Sequence, residues 1–178
     1  MYDDMKIAQI DRLLERLQDV TAHHISVMHN VGESQFGVFP TDGRGFAIAV
    51  STMWDGSYLL TFDRWSMRLE GEDNVYQAIV WLLSERCRLR LWRRSAMKPV
   101  FAALEAYTDT GWVRLWQCEI AYVLPDDLRD RALVSNSVIR AEDVSPLSLN
   151  FLKKAAFGHG TAVPKGVMHG INEDWRSN

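Results

Sequence analysis

The sequence predicts an α+β fold: a mainly antiparallel β-sheet with an N-terminal and a central helix packed on one face, then a C-terminal helix and an irregular tail. Three observations carry that prediction. Apolar residues recur at helical spacing near the start, at Ile7, Ile10, Leu13, Leu14, Leu17 and Val20. β-rich runs then come in clusters joined by short turns, the pattern of hairpins rather than of a parallel sheet. Finally, Cys87, Leu89 and Leu91 alternate with Arg86, Arg88 and Arg90, the period of a strand with one buried face.

The first helix is expected over residues 3–20, with Asp3 or Asp4 as cap and Glu15, Arg16 and Asp19 on its polar surface. Its apolar seam is too short for a secure coiled coil, so it is read as a helix laid on a sheet. Between His24 and Glu70 the runs HISVMHNV, QFGVF, GFAIAVST, SYLLTFDR and WSMRLEG read as five short strands. Asp55-Gly56 joins the third and fourth of these as a hairpin turn. Thr41-Asp42-Gly43-Arg44-Gly45 is glycine-rich but has neither the Lys-Ser/Thr ending nor the GxGxxG spacing of a phosphate loop.

A second helix is expected over residues 73–85, with Val75, Ile79, Leu82 and Leu83 as its stripe and Tyr76, Val80 and Trp81 widening it, so that more than one side is buried. Asn74 and Gln77 resemble a capping box. Three strands follow, 85–94, 100–108 and 112–120, and then a short helical segment over 126–134. Ser145-Pro146 starts a last helix that stops at Gly158. Residues 1–144 are expected to form a single α+β domain. Residues 145–178 supply the C-terminal helix and tail, part of the same domain or wrapping a neighbour.

Pairing Arg94 with Pro99 and Thr108 with Gly111 sorts the three-strand meander into two faces. One collects Cys87, Leu89, Leu91, Ala102, Leu104, Ala106, Val113 and Leu115, all apolar. The other collects Arg86, Arg88, Arg90, Trp92, Phe101, Glu105, Tyr107, Trp112, Arg114 and Trp116. In that register Glu105 lies between Arg88 and Arg114, and Trp92 faces Phe101. A slip of one residue would mix the two sets.

The polar face is the candidate interaction site. From Arg86 to Lys98 six residues are basic and none is acidic. Arginine interleaved with aromatics suits a protein interface or a single-stranded nucleic acid, through phosphate contacts and base stacking. The same residues also serve as a solvated face whose arginines lie along the tryptophans. A net charge of −3 and a pI near 5.9 argue against a general nucleic-acid coat protein. Seven tryptophans in 178 residues indicate a bulky core, an interface, or both.

Other chemistry is thinly represented. His23, His24, His29, His159 and His169 show no HExxH or Cys/His spacing, so no metal or other cofactor is expected. There is no GxSxG elbow. Cys87 falls on the apolar face, and Cys118, near the aromatic face, lacks a named His partner. Glu70, Glu72 and Asp73, like Asp126 and Asp127, sit where acids suit a helix N-terminus. The absence of a signal peptide, of a membrane-length apolar run and of a disulfide framework is read as a cytoplasmic protein.

Trp65 ends a β-rich segment; an apolar helix, WLLSERCRLRLW, a turn and a strand ending LEAYTDTGW come next. This order is similar to the middle of an uncharacterised family of small bacterial proteins, over roughly Phe62 to Leu124. The chain departs from that pattern at Ser95-Ala96-Met97-Lys98-Pro99-Val100, and the tail beyond Val144 has no counterpart. The resemblance implies a bacterial, cytoplasmic origin and supplies no activity. The expectation is therefore a non-enzymatic interaction protein that self-associates as a homo-oligomer through the Arg/Trp face or the C-terminal tail. The alternatives are a weak single-stranded nucleic-acid binder using Arg86, Arg88, Arg90, Trp92, Trp112 and Trp116, and a small-molecule binder or enzyme with a pocket between sheet and helices.

Overall fold

The computed structural model describes residues 2–21, 25–29, 34–40, 45–63, 65–93, 99–119, 130–144 and 151. Helix α1 spans Tyr2–Thr21. Five strands follow: β1 Ile25–His29, β2 Gln35–Pro40, β3 Ile48–Thr52, β4 Tyr58–Phe62 and β5 Trp65–Leu69. Helix α2, Glu72–Leu82, leads to β6 Cys87–Arg93, β7 Pro99–Thr108, β8 Gly111–Glu119 and β9 Asp130–Val134, and a one-turn 3-10 segment covers Ala141–Asp143. The fold is α+β with antiparallel strands, as the hairpin clusters predict, but the strands form two sheets instead of one. The first is ordered β1-β2-β3-β4-β5 and the second β8-β7-β6-β9.

Alternation explains the first sheet. Ile48, Val50 and Thr52 on β3 and Tyr58, Leu60 and Phe62 on β4 are buried, while Ala49 and Thr61 between them are exposed. The hairpin joining them brackets Trp54-Asp55-Gly56 between Met53 and Ser57, whose N–H and C=O are 2.7 Å apart. Gly56 has φ +82°, a left-handed conformation that closes such a three-residue loop with little strain in glycine. Asp55 Oδ1 accepts from the Ser57 hydroxyl at 2.6 Å and from the Ser57 N–H at 3.1 Å. Arg68 on β5 donates to Ser57 Oγ and pairs with Asp55, tying the hairpin tip to the neighbouring strand.

Both helices pack on the common core. Ile10, Leu13 and Leu17 of α1 are buried, as are Val75, Ala78, Ile79, Trp81 and Leu82 of α2. One apolar cluster runs from α1 through the first sheet and α2 to Cys87, Leu89, Leu91, Ala102, Leu104, Ala106 and Leu115 of the second sheet. The acids at the start of α2 do more than suit its dipole. Glu72 accepts Arg12 at 3.1 Å and Arg16 at 3.4 Å, and Asp73 accepts Arg16 at 2.9 Å, so they also fix α1 against α2. The expected capping box is absent: Gly71 is the N-cap, and Asn74 Nδ2 donates instead to the Glu70 carbonyl at 2.7 Å.

The C-terminal end of α2 is closed by a distant segment. Leu83 O accepts the N–H groups of Val138 and Ile139 at 2.8 and 3.1 Å, and Glu85 N donates to Ile139 O at 2.9 Å. Buried Asn136 donates to Leu82 O at 3.0 Å and accepts the Phe46 N–H at 2.8 Å. One side chain thus joins α2, the entry to β3 and the chain beyond β9. Residues 130–134, expected in a helical segment, instead pair with β6 from Leu89↔Val134 to Arg93↔Asp130. The open edge of β6 offers a ladder of hydrogen bonds that overrides a weak helical pattern. Residues 121–129 and the helix expected from Ser145 to Phe157, apart from Phe151, lie outside the described residues, as does the tail.

Two predictions follow from these contacts. Asn136→Ala leaves a buried N–H and a buried carbonyl unpaired and should lower unfolding free energy by about 1–3 kcal/mol in urea denaturation; a change below about 0.5 kcal/mol would contradict the clamp. The Asp55 carboxyl is held below its ordinary value of 3.8 by the Ser57 hydroxyl, then by the Ser57 N–H and by Arg68. A depressed folded-state value contributes stability that is full above the ordinary carboxylate range and is lost as pH falls through the depressed value. Asp55→Asn should therefore lower the melting temperature more at pH 6 than at pH 2, and an equal drop at both would count against the assignment.

Candidate interaction face on the second sheet

The meander forms in the predicted register. β6 pairs with β7 from Cys87↔Ala106 through Arg88↔Glu105 to Trp92↔Phe101, and shifts by one only at Arg93↔Pro99. β7 returns into β8 through Thr108↔Gly111, with Gly111 at φ +104° and the Thr108 hydroxyl donating to Gly111 O at 2.9 Å. Of the predicted apolar set all are buried except Val113, which is half-buried.

A bulge then changes the face. Glu105 pairs with Arg114, but the next pair is Leu104↔Trp116, so Leu115 is the extra residue on β8. Residues paired directly share a face, which places Trp116 with Leu104 on the core side. Its ring meets Trp65 at 5.8 Å and 67°, joining the second sheet to the start of β5. Trp116 therefore does not belong to the Arg/Trp face where strict alternation assigns it. Arg86 keeps its register, with Tyr107 N donating to Arg86 O at 2.8 Å, but its Nε donates to Ala141 O at 2.7 Å. That guanidinium is engaged with the segment that closes α2.

What remains is a row across three strands: Arg88 on β6, Glu105 on β7 and Arg114 on β8. Glu105 is 4% exposed. Its Oε2 accepts Arg88 Nε at 2.7 Å, and its Oε1 lies 3.1 Å from Arg90 Nε, a close ion pair in which the N–H is not aimed at the oxygen. The second ion pair is thus with Arg90, and not with Arg114 as the row alone suggests. Arg114 instead donates to Gln117 Oε1 at 3.1 Å, and its guanidinium lies 5.6 Å from the Trp92 ring centre. Burial pulls the Arg114 guanidinium below its ordinary value; Glu105 opposes that shift and Arg90 adds to it.

The two ends of this face differ. At one end Trp92 is 2% exposed and packs on fully buried Ala103, with Arg90 5.9 Å from its ring centre. Ala103 is the small residue that gives the indole room, and Gln117 the acceptor that turns Arg114; neither is in the predicted set. At the other end Tyr107 and Trp112 are 44% and 38% exposed, with ring centres 5.3 Å apart. Arg88 stacks over Trp112 at 3.7 Å, a cation–π contact held in place by Glu105. The face is thus closed around Trp92 and open around Trp112.

Reactive chemistry is sparse elsewhere. Burial pushes the Cys87 thiol well above its ordinary value, leaving a small apolar side chain in the core. The Cys118 side chain and residues His23, His24, His159 and His169 lie outside the described parts. Among the described residues no three His, Cys, Asp or Glu side chains converge on a common point, and no helix is long and apolar enough to cross a membrane.

Glu105→Gln should destabilise the protein by about 3 kcal/mol in urea denaturation, because it leaves partly buried guanidinium groups without their counter-charge. A loss near 0.5 kcal/mol, the scale of an exposed ion pair, would contradict this reading. The chain matches no protein-family model, no curated protein and no solved structure.

Proposed function

We propose that this chain is a non-enzymatic, cytoplasmic interaction protein that self-associates through the open end of the arginine–aromatic face. The observation that carries the reading is the exposed Tyr107–Trp112 pair on a hydrogen-bonded hairpin, with Arg88 fixed against it by buried Glu105. Interface hot spots are enriched in Tyr, Trp and Arg, and a side chain already ordered loses little entropy on binding. The closed end, where Trp92 is buried, supplies a rigid backing. The C-terminal tail, the other surface expected to self-associate, lies outside the described residues.

Binding of single-stranded nucleic acid is the second reading. The Arg88–Trp112 stack favours it, because the same two residue types would meet a phosphate and a base. Two features weigh against it. Glu105 sits among the arginines, and Arg88 already covers one face of the Trp112 ring.

Light scattering across micromolar concentrations tests the first reading. The wild-type mass should exceed the 20.4 kDa of one chain, and Trp112→Ser with Tyr107→Ser should return it to that value. A strictly monomeric wild type would overturn self-association. Binding of a single-stranded oligonucleotide that weakens steeply with salt would favour the second reading instead.

A further inference from the structure

The charges on the candidate face are not balanced. Arg88, Arg90 and Arg114 stand against one carboxylate, Glu105, and no other acidic side chain among the described residues pairs with them. These four side chains together carry two positive charges. Since the whole chain carries −3 at pH 7, the rest of the sequence sums to five negative. Partly buried charges are screened by salt less than exposed ones, so the imbalance extends to the surface.

This restricts how two copies could meet. A two-fold symmetric contact places a patch against itself. Here it would bring two positive faces together, and like charges facing one another across an interface cost affinity. A partner surface should instead be acidic.

The outer side of α1 is such a surface. Ile10, Leu13 and Leu17 point into the core, while Asp11 and Glu15 are exposed. Four residues apart, they lie on one side of the helix with about 6 Å of rise between them. Arg88 and Arg90 are two residues apart on β6, about 7 Å along the strand. Asp11 and Glu15 have no ion-pair partner among the described residues, whereas the neighbouring Arg12 and Arg16 are turned to Glu72 and Asp73.

We infer that the arginine–aromatic face of one copy receives the Asp11–Glu15 side of α1 from a second copy, in a head-to-tail contact. This rests on the self-association proposed above and names its complementary half. Such a contact leaves one face and one α1 free in every dimer. Assembly then continues to a ring or an open chain unless the geometry closes at two.

Sedimentation of charge-reversed variants tests it. Asp11→Lys with Glu15→Lys changes only exposed positions and should weaken self-association by about tenfold or more, as should Arg114→Glu. An equimolar mixture of the two variants should associate again, because the unaltered face of the α1 variant then meets the unaltered α1 of the Arg114→Glu variant. If the wild type associates and the α1 variant associates equally well, this inference is overturned while self-association stands. If the wild type is monomeric throughout, the earlier reading fails and this one with it. Should Arg114→Glu fail to fold, the α1 variant decides alone, since its two positions lie outside the core.

Discussion

The buried carboxylate of Glu105 is the interaction on which the second sheet depends. The core needs Cys87, Leu89 and Leu91 on one side of β6, and strand geometry then puts Arg88 and Arg90 together on the other. Arg114 joins them from β8. Three guanidinium groups on neighbouring strands would repel one another with nothing between them. Glu105, on the strand between, contacts two of the three. Its position also orders what surrounds it: Arg88 is drawn over Trp112, and Arg114 turns to Gln117 and Trp92. A strip that reads in isolation as a nucleic-acid grip becomes, once its neighbours are counted, an internally paired face that keeps a positive excess and has one exposed aromatic end.

The rest of the fold supplies a rigid floor for that face. Leu89 and Leu104, beneath the arginine row, belong to the cluster that contains Trp65, Ile79 and Trp81. The Leu115 bulge brings Trp116 into this cluster and lets its ring abut Trp65. Buried Asn136 and the backbone of Val138 and Ile139 fasten the far end of α2. A partner meeting Tyr107 and Trp112 would therefore meet a surface with little freedom to rearrange.

Much of this was legible from residue order. Alternation and turn residues identified the strands and the register from Arg88↔Glu105 to Trp92↔Phe101, because a one-residue slip would have put arginine among leucines. Both helices were visible in their apolar spacing. Other features were hidden for physical reasons. Leu115 and Trp116 are both apolar, so periodicity could not show that the bulge turns Trp116 inward. β9 exists because β6 has an edge to fill, a fact about tertiary structure. Asn136 makes no pattern with its sequence neighbours, since its partners, Phe46 and Leu82, are far away in the chain. Gly71 rather than Asn74 or Gln77 begins α2, because several local arrangements can satisfy a helix start and sequence spacing does not choose among them. The candidate face was largely placed by alternation, whereas its division into a closed and an open end depends on the size of Ala103 and on packing around Trp92.

Arg88 and Glu105 form a partly desolvated, geometrically fixed pair and not a loose surface contact. A double-mutant cycle measures this most directly, using Arg88→Met, Glu105→Gln and both together in urea denaturation. The expected coupling energy is above about 1.5 kcal/mol, the scale of a close buried pair. A coupling below about 0.5 kcal/mol, as for exposed ion pairs, would contradict it.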